Sequence, residues 1–287
     1  MQKIYDLLHT FEETNIELAL TLAQSQAPEV LKYWDKLNLS LERFKDIGLT
    51  DWNFRNSTKD LYKSLAQRRW NFQIFQPFIP QKFAKWVQEL SEYAPLVEEL
   101  VFNFMSFDYD ENVLTLPETV GKFQSLRQLT LGFEGAILFP KTIQQLPALQ
   151  ALSFVKGIRG SELSGYYPTK IRKLEIYKIP DMQLLNEFLE YFPSVEQFVL
   201  RLGNGHTELP MSLADLPNLQ ELKLLETSME AVWDEDSHRP APDFEPLRKL
   251  KKLEIEHLLE EFEPQEIQEI SAQIKTYFPH LQILIKP

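Results

Sequence analysis

Between Val97 and Leu284 one arrangement of positions, apolar-x-x-apolar-x-apolar, occurs eight times. The copies are V-E-E-L-V-F from Val97, L-R-Q-L-T-L from Leu126, L-Q-A-L-S-F from Leu149 and I-R-K-L-E-I from Ile171. They continue with V-E-Q-F-V-L from Val195, L-Q-E-L-K-L from Leu219, L-K-K-L-E-I from Leu250 and the shorter L-Q-I-L-I from Leu281. Successive starts lie 29, 23, 22, 24, 24, 31 and 31 residues apart. A period in this range marks a stacked array, because one unit cannot bury its apolar face except against its neighbours.

The segments between copies are of two kinds. Three read L-P-E-T-V-G-K-F from Leu116, F-P-K-T-I-Q-Q-L from Phe139 and L-P-M-S-L-A-D-L from Leu209. Others are amphipathic helical runs ending in an aromatic or alanine followed by Pro95, Pro193 or Pro279. Strands alternating with helical segments at this spacing predict a parallel sheet backed by helices or turns, an α/β architecture.

Residues 1–94 carry no copy and read as helices, forming a domain that caps the first hydrophobic layer of the array at 95–287. Thr14 and Glu17 have capping-box spacing, with Ile16, Ala19, Leu20 and Ala23 following at helical intervals. Pro28 opens a helix carrying Val30, Leu31, Trp34 and Leu37. Ser40 is placed to cap the next, closed by Gly48, and Ser57 or Thr58 begins another with Leu61, Leu65 and Trp70 inward. Asn71–Pro80 reads as a packed connector, and a last helix covers about Gln81–Tyr93. The tryptophans at 34, 52, 70 and 86 read as core rather than as a ligand box.

The repeats L-P-E-T-V-G-K-F-Q-S-L-R-Q-L-T-L and L-P-M-S-L-A-D-L-P-N-L-Q-E-L-K-L resemble those of leucine-rich repeat proteins, in an irregular, bacterial-type form, and the eight copies span about two thirds of the chain. The resemblance implies a curved solenoid with its parallel sheet on the concave side, serving as a protein-binding surface. In that family an Asn, Cys or Thr usually follows the last strand leucine by three residues. Here Met105, Glu134, Gly157, Ile179, Gly203, Thr227 and Leu258 stand there, and of these Thr227 alone conforms. An irregular array with variable loops is therefore expected.

Strand side chains alternate between faces, so if the repeat leucines point inward the residues between them share the outer face. At ~4.8 Å per strand, eight strands span roughly 34 Å, enough for an ordinary protein interface. Val155, Tyr177, Val199 and Leu225 place apolar or aromatic groups there, beside Lys173, Arg201 and Lys223. Aromatic and arginine side chains in apolar surroundings are what interface hot spots contain. Strand propensity alone also accounts for Val and Tyr at such positions. A second candidate is the acidic, proline-rich stretch 226–246, which either projects as a binding loop displaying Trp233 or folds that indole back onto the array.

Composition narrows the chemistry. With 287 residues, 44% of them hydrophobic, the chain can bury a large core. It has no cysteine, which excludes disulfides, thiolate metal sites and the cysteine nucleophile of the ubiquitin-ligase domains found in some bacterial leucine-rich repeat effectors. Net charge is -12, which disfavours nucleic acid and anionic membranes as partners and favours solubility. No apolar run reaches spanning length, and acids occupy the N-terminus where a secretory leader would be apolar, so a cytoplasmic location is expected.

Asp108, Asp110 and Asn112 match the opening of a calcium loop, but Val113 and Thr119 stand where its glycine and closing glutamate belong. The glycine spacing from Gly160 to Gly165 matches a phosphate loop, with Tyr166 and Tyr167 in place of its Lys and Ser/Thr. The five histidines form no ligand pair. No cofactor or metal is implied. The expectation is a non-enzymatic, monomeric module that binds a protein partner. The alternatives are a hydrolase using carboxylates around Asp108, Asp110 and Glu111, and assembly edge to edge through the last strand.

Overall fold

A computed structural model describes residues 2–10, 12–46, 68–74, 80–104, 113–133, 135–156, 166–178, 182–202, 208–234, 236–256 and 263–286. It is a mixed α/β structure built on one nine-stranded parallel sheet, with six α-helices among the described residues. The sheet runs in chain order through β1 (Arg69–Ile74), β2 (Glu99–Phe104), β4 (Gln128–Gly132), β6 (Ala151–Phe154), β7 (Lys173–Ile176), β8 (Gln197–Arg201), β9 (Glu221–Leu225), β12 (Lys252–Glu256) and β13 (Gln282–Lys286). The short pairs β3 (Val113–Thr115) with β5 (Ala136–Leu138) and β10 (Trp233–Asp234) with β11 (Arg239–Pro240) lie apart from it.

Register follows the apolar spacing through the first seven copies. In the eighth it differs from the sequence reading by one residue, because Ile283 and Ile285 take the leucine side and Leu284 turns outward. Leu100, Leu129, Leu152, Leu174, Phe198, Leu222, Leu253 and Ile283 are successive partners across the strands, as are Phe102, Leu131, Phe154, Ile176, Leu200, Leu224, Ile255 and Ile285. These two rows are buried as far as β12, while Ile283 and Ile285 on the outermost strand stay partly exposed. A one-residue slip in any strand would turn its leucines to the other face, so burial itself enforces the register.

The three L-P or F-P segments fold as 3₁₀ turns at Glu118–Lys122, Lys141–Gln145 and Met211–Asp215, each dropping one apolar residue (Val120, Ile143, Leu213) into the core. The longer runs form α4 (Pro80–Leu90), α5 (Met182–Leu189) and α6 (Pro264–Tyr277). The first two meet the leucine side of the sheet through aromatic contacts, Phe83 with Phe102 at 5.1 Å and Phe188 with Phe154 at 5.3 Å between ring centres. Phe278, at the end of α6, meets Phe244 of the 226–246 stretch at 5.0 Å. Such edge-on and tilted pairs let bulky rings fill the layer without stacking face to face.

The N-terminal segment differs from the sequence reading in three places. Its helices are α1 (Gln2–Leu8), α2 (Glu13–Gln26) and α3 (Pro28–Asp46). Helix α2 begins one residue before Thr14, with Glu12 at its N-cap and no side-chain cap, so the Thr14–Glu17 box does not form. Helix α3 runs through Ser40 without a break; no Gly or Pro interrupts it, and a serine inside a helix costs only a fraction of a kcal/mol.

The third difference is β1. Trp70 and Asn71–Ile74 lie in a ninth strand, paired Trp70 to Leu100 and Phe72 to Phe102, where a helix end and a connector were expected. The sheet thus starts upstream of residue 95. The helix expected from Ser57 lies outside the described residues, as do Trp52, Gly48, Asp108, Asp110, Glu111, Asn112 and Gly160–Gly165. Trp34, Trp70 and Trp86 are buried. Tyr93 ties the two ends of this region together, meeting the rings of Tyr33 and Trp70 and donating its hydroxyl to the Lys36 carbonyl, beside a Lys36–Glu92 ion pair.

Candidate partner-binding surface

The side of the sheet opposite the leucines presents three rows of residues, fixed by the strand pairing. From β2 onward the middle row runs Val101, Thr130, Ser153, Glu175, Val199, Lys223, Glu254, Leu284. Much of it is dry: Ser153 is 1% exposed and Val199 and Glu254 each 8%. This corrects the expectation for Val199. It sits in register between the longer Glu175 and Lys223, whose stems flank it on both sides, so it supports the surface and displays little apolar area.

Of the other expected contact residues, Val155 is open at 39% exposure, and Tyr177 and Leu225 are half-buried. Val155 and Tyr177 extend their strands by backbone bonds to Leu131 and Phe154 of the preceding strand. Burial raises the Tyr177 hydroxyl pKa, helped by the charge of Glu175 3.5 Å away. Arg201 grips Glu226 with two donors, Nε at 2.5 Å and Nη2 on the second oxygen. Glu226 holds a left-handed backbone (φ 49°) directly after β9, and that turn aims its carboxylate at the guanidinium. Lys173 pairs with Glu175 at 2.6 Å, and Glu175 also accepts from Ser153 Oγ at 2.5 Å.

At the β9–β12–β13 side the rows hold a network absent from the sequence reading. Glu254 accepts from Lys252 and Lys286 at 2.9 Å each and from Lys223 at 3.3 Å. Glu256 pairs with Lys223 at 2.6 Å and with Lys286. The bonds from Lys252, Lys286 and Lys223 hold the Glu254 carboxyl far below the ordinary range, overcoming its burial. Burial pulls the Lys223 ammonium down, but its bonds to Glu256 and Glu254 outweigh that and leave it above its usual value. No period reveals this cluster; the residues are brought together by adjacent strands.

Trp233 does not project. It is 1% exposed, paired with Pro240 through β10 and β11, and edge-on to Tyr277 at 6.0 Å. Met229, Ala231, Val232, Ala241 and Phe244 are buried with it, so the 226–246 stretch is a packed insertion and Trp233 is a core residue. Ser228 caps its first turn and Thr227 is fully buried. The acidic and proline-rich composition signalled a loop, but it is the apolar residues spaced through it that decide its packing.

A further row lies along the N-terminal ends of the strands, at the second residue of the first seven copies: Glu98, Arg127, Gln150, Arg172, Glu196, Gln220 and Lys251, preceded by Arg68. Their carbonyls are held by the next strand; the Glu98 oxygen, for example, accepts from Arg127 N at 2.7 Å and Gln128 N at 3.1 Å. Arg68 pairs with Glu98 at 2.7 Å, whereas Arg127–Glu98 and Arg172–Glu196 are looser at 3.5 and 3.8 Å. A recess of about 480 Å³ opens here over Ala151, walled by Arg127, Arg172, Lys173 and Gln150. Among the described residues no cluster of three His, Asp or Glu side chains is arranged to hold a metal ion, and no helix is long and apolar enough to cross a membrane.

A scan against protein-family models finds no match for the chain, and a search of curated proteins finds no similar sequence. What the molecule does therefore has to be argued from this surface.

Proposed function

We propose that the chain is a leucine-rich repeat solenoid, capped by its N-terminal helices, whose outward sheet face binds a protein partner without catalysis. The observation that carries this reading is the register. Seven of the eight copies lie side by side in one register on one parallel sheet, and the residues between their leucines gather on the other face. Burial of Ser153, Val199 and Glu254 in the middle row supports a concave face, where side chains of neighbouring strands converge. The exposed Val155 and half-buried Tyr177 and Leu225, rimmed by Lys173, Arg201 and Lys223, have the anatomy of a small apolar contact area with a polar margin. Nine strands at ~4.8 Å spacing give a surface of roughly 38 Å, of a size suited to a folded domain or a peptide. With its net charge of -12, a protein surface is favoured over phosphate backbones. The expected setting is the cytoplasm.

The test pairs Val155→Asp with Tyr177→Ala. Arg201 is left alone because it is already committed to Glu226. Partner capture with the purified chain is expected to fail for the double variant while its melting temperature stays within a few degrees of the parent. Capture that survives the double change removes this face. A second reading, edge-to-edge dimerisation, is favoured by β13, whose outer edge pairs with no described strand and whose Leu284 is exposed. Light scattering across concentration separates the two.

A further inference from the structure

We infer that the recess over Ala151 is a carboxylate pocket, which receives the acidic side chain of an extended peptide segment flanked by basic residues. This rests on the reading of the sheet as a partner-binding surface and names the partner's chemistry. The second-position row has a symmetric charge order, Glu98–Arg127–Gln150–Arg172–Glu196, centred on β6. Directly beside it the first outward row reads Glu99, Gln128, Ala151, Lys173, Gln197, with the one small side chain at the centre. Ala151 therefore makes the floor of the recess, and arginines from the strands on either side stand over it, their backbones roughly 10 Å apart.

Both guanidiniums are open to a ligand. Arg127 and Arg172 are 70% and 63% exposed, and the glutamate beside each lies 3.5 and 3.8 Å from its Nε. Neither side chain makes a hydrogen bond within the described residues, which leaves the planar Nη donors for bidentate recognition of a carboxylate. The contrast with Arg201, held by two short bonds to Glu226, is direct.

The lining also selects what enters. Three cations (Arg127, Arg172, Lys173) line the centre and Glu98, Glu99 and Glu196 the two ends, with Arg68 and Arg69 reaching Glu98 and Glu99 and Lys173 reaching Glu175. A single carboxylate at the centre meets positive charge, but a polyanion overlapping the ends meets the acids. Basic residues on either side of the central acid would lie toward those acids. Gln128, Gln150 and Gln197 supply amide donors and acceptors for a peptide backbone.

The experiment is an amide NMR titration of the full chain with two capped peptides, Lys-Gly-Gly-Glu-Gly-Gly-Lys and Lys-Gly-Gly-Gln-Gly-Gly-Lys. General attraction to an acidic protein favours the glutamine peptide, which carries the larger positive charge, so the comparison isolates the pocket. The glutamate peptide is expected to shift the amides of residues 127–128, 150–151 and 172–173 and to bind about tenfold or more tightly than the glutamine peptide. Arg127→Gln with Arg172→Gln, and separately Ala151→Leu, are expected to abolish that preference, whereas Arg248→Gln, an exposed arginine elsewhere, leaves it intact. Equal binding of the two peptides, no binding of either, or a preference that survives both sets of variants overturns the inference. The titration needs no native partner. Partner capture lost in the Val155/Tyr177 variant together with a silent titration refutes the pocket and leaves the surface standing. A positive titration with unaffected capture does the reverse.

Discussion

Replacing Glu254 by glutamine keeps the side chain's shape and removes its charge from the point where three lysines meet. The carboxylate is nearly inaccessible, but Lys223, Lys252 and Lys286 keep 31%, 34% and 50% of their side-chain surface in water. A buried pair broken on one side costs several kcal/mol, whereas exposed pairs are worth a few tenths to one. Because solvent reaches the ammonium groups, the lower range governs, and three such contacts give a loss of roughly 1–3 kcal/mol at neutral pH. For a chain of this size that is a fall in melting temperature of about 2–5 °C. The pH dependence carries the sharper signature. The folded-state pKa of Glu254 is depressed, so its contribution is complete above the pKa of an unfolded glutamate, about 4.3, and drains away as pH falls through the folded value. Glutamine has no proton to gain. Thermal and urea unfolding of parent and Glu254→Gln should therefore differ by a constant amount at neutral pH, with the gap closing steadily under acid. Indistinguishable stability at neutral pH, or a gap that widens in acid, would refute the network as a stabilising element.

Two further substitutions probe packing on and behind the sheet. A Cβ added at Gly132 would lie 2.5 Å from Asn103 Oδ1 and 3.2 Å from the Asn103 Cα, so Gly132→Ala should cost about 1–3 kcal/mol in urea unfolding. Adding Asn103→Ala should return most of it, because that side-chain oxygen is buried without a partner among the described residues; a double variant no more stable than Gly132→Ala contradicts the contact. Trp233→Ala should destabilise by about 3–5 kcal/mol as a core truncation, and a variant of unchanged stability would return Trp233 to the surface.

The strands of the large sheet from β2 to β12 were legible because two leucine-type positions per copy must be dry on one side of a sheet, and that requirement writes a spacing into the sequence. In β13, where those positions are only partly dry, the reading fell one residue out of register. Strand β1 escaped for a specific reason: Gln67 occupies the place of its first apolar residue, leaving Trp70, Phe72 and Ile74 as an isolated alternation between helical readings. The outward rows could be enumerated from alternation, but their exposure could not. Val199 is nearly inaccessible with the longer Glu175 and Lys223 on either side of it, and that depends on the register of three strands. The same holds for Lys223, Glu254 and Lys286, which lie 31 and 32 residues apart and meet only through strand pairing. Arg127 and Arg172 were visible as the second residues of their copies, yet nothing along the chain announces that Ala151 opens a recess between them. For Trp233 the chain left two readings open, and the one in which the indole folds back holds. Its neighbours' composition is that of a loop, while its own burial comes from Tyr277 and Pro240, supplied by other elements.

Every functional proposal requires that the second and outward positions of successive copies be neighbours on one surface, and the absence of native cysteine makes that directly measurable. Cysteine pairs placed at Gln197 with Glu221, and at Lys173 with Gln197, join in-register partners on adjacent parallel strands, at a separation a disulfide can bridge. Gln197 with Leu222 shifts one residue and turns the second thiol to the leucine side. Mild oxidation followed by peptide mass spectrometry should give intramolecular cross-links for the two in-register pairs and none for the shifted one. Cross-linking of the shifted pair in preference to the others would mean that these strands do not share a face, and the binding surface would not exist.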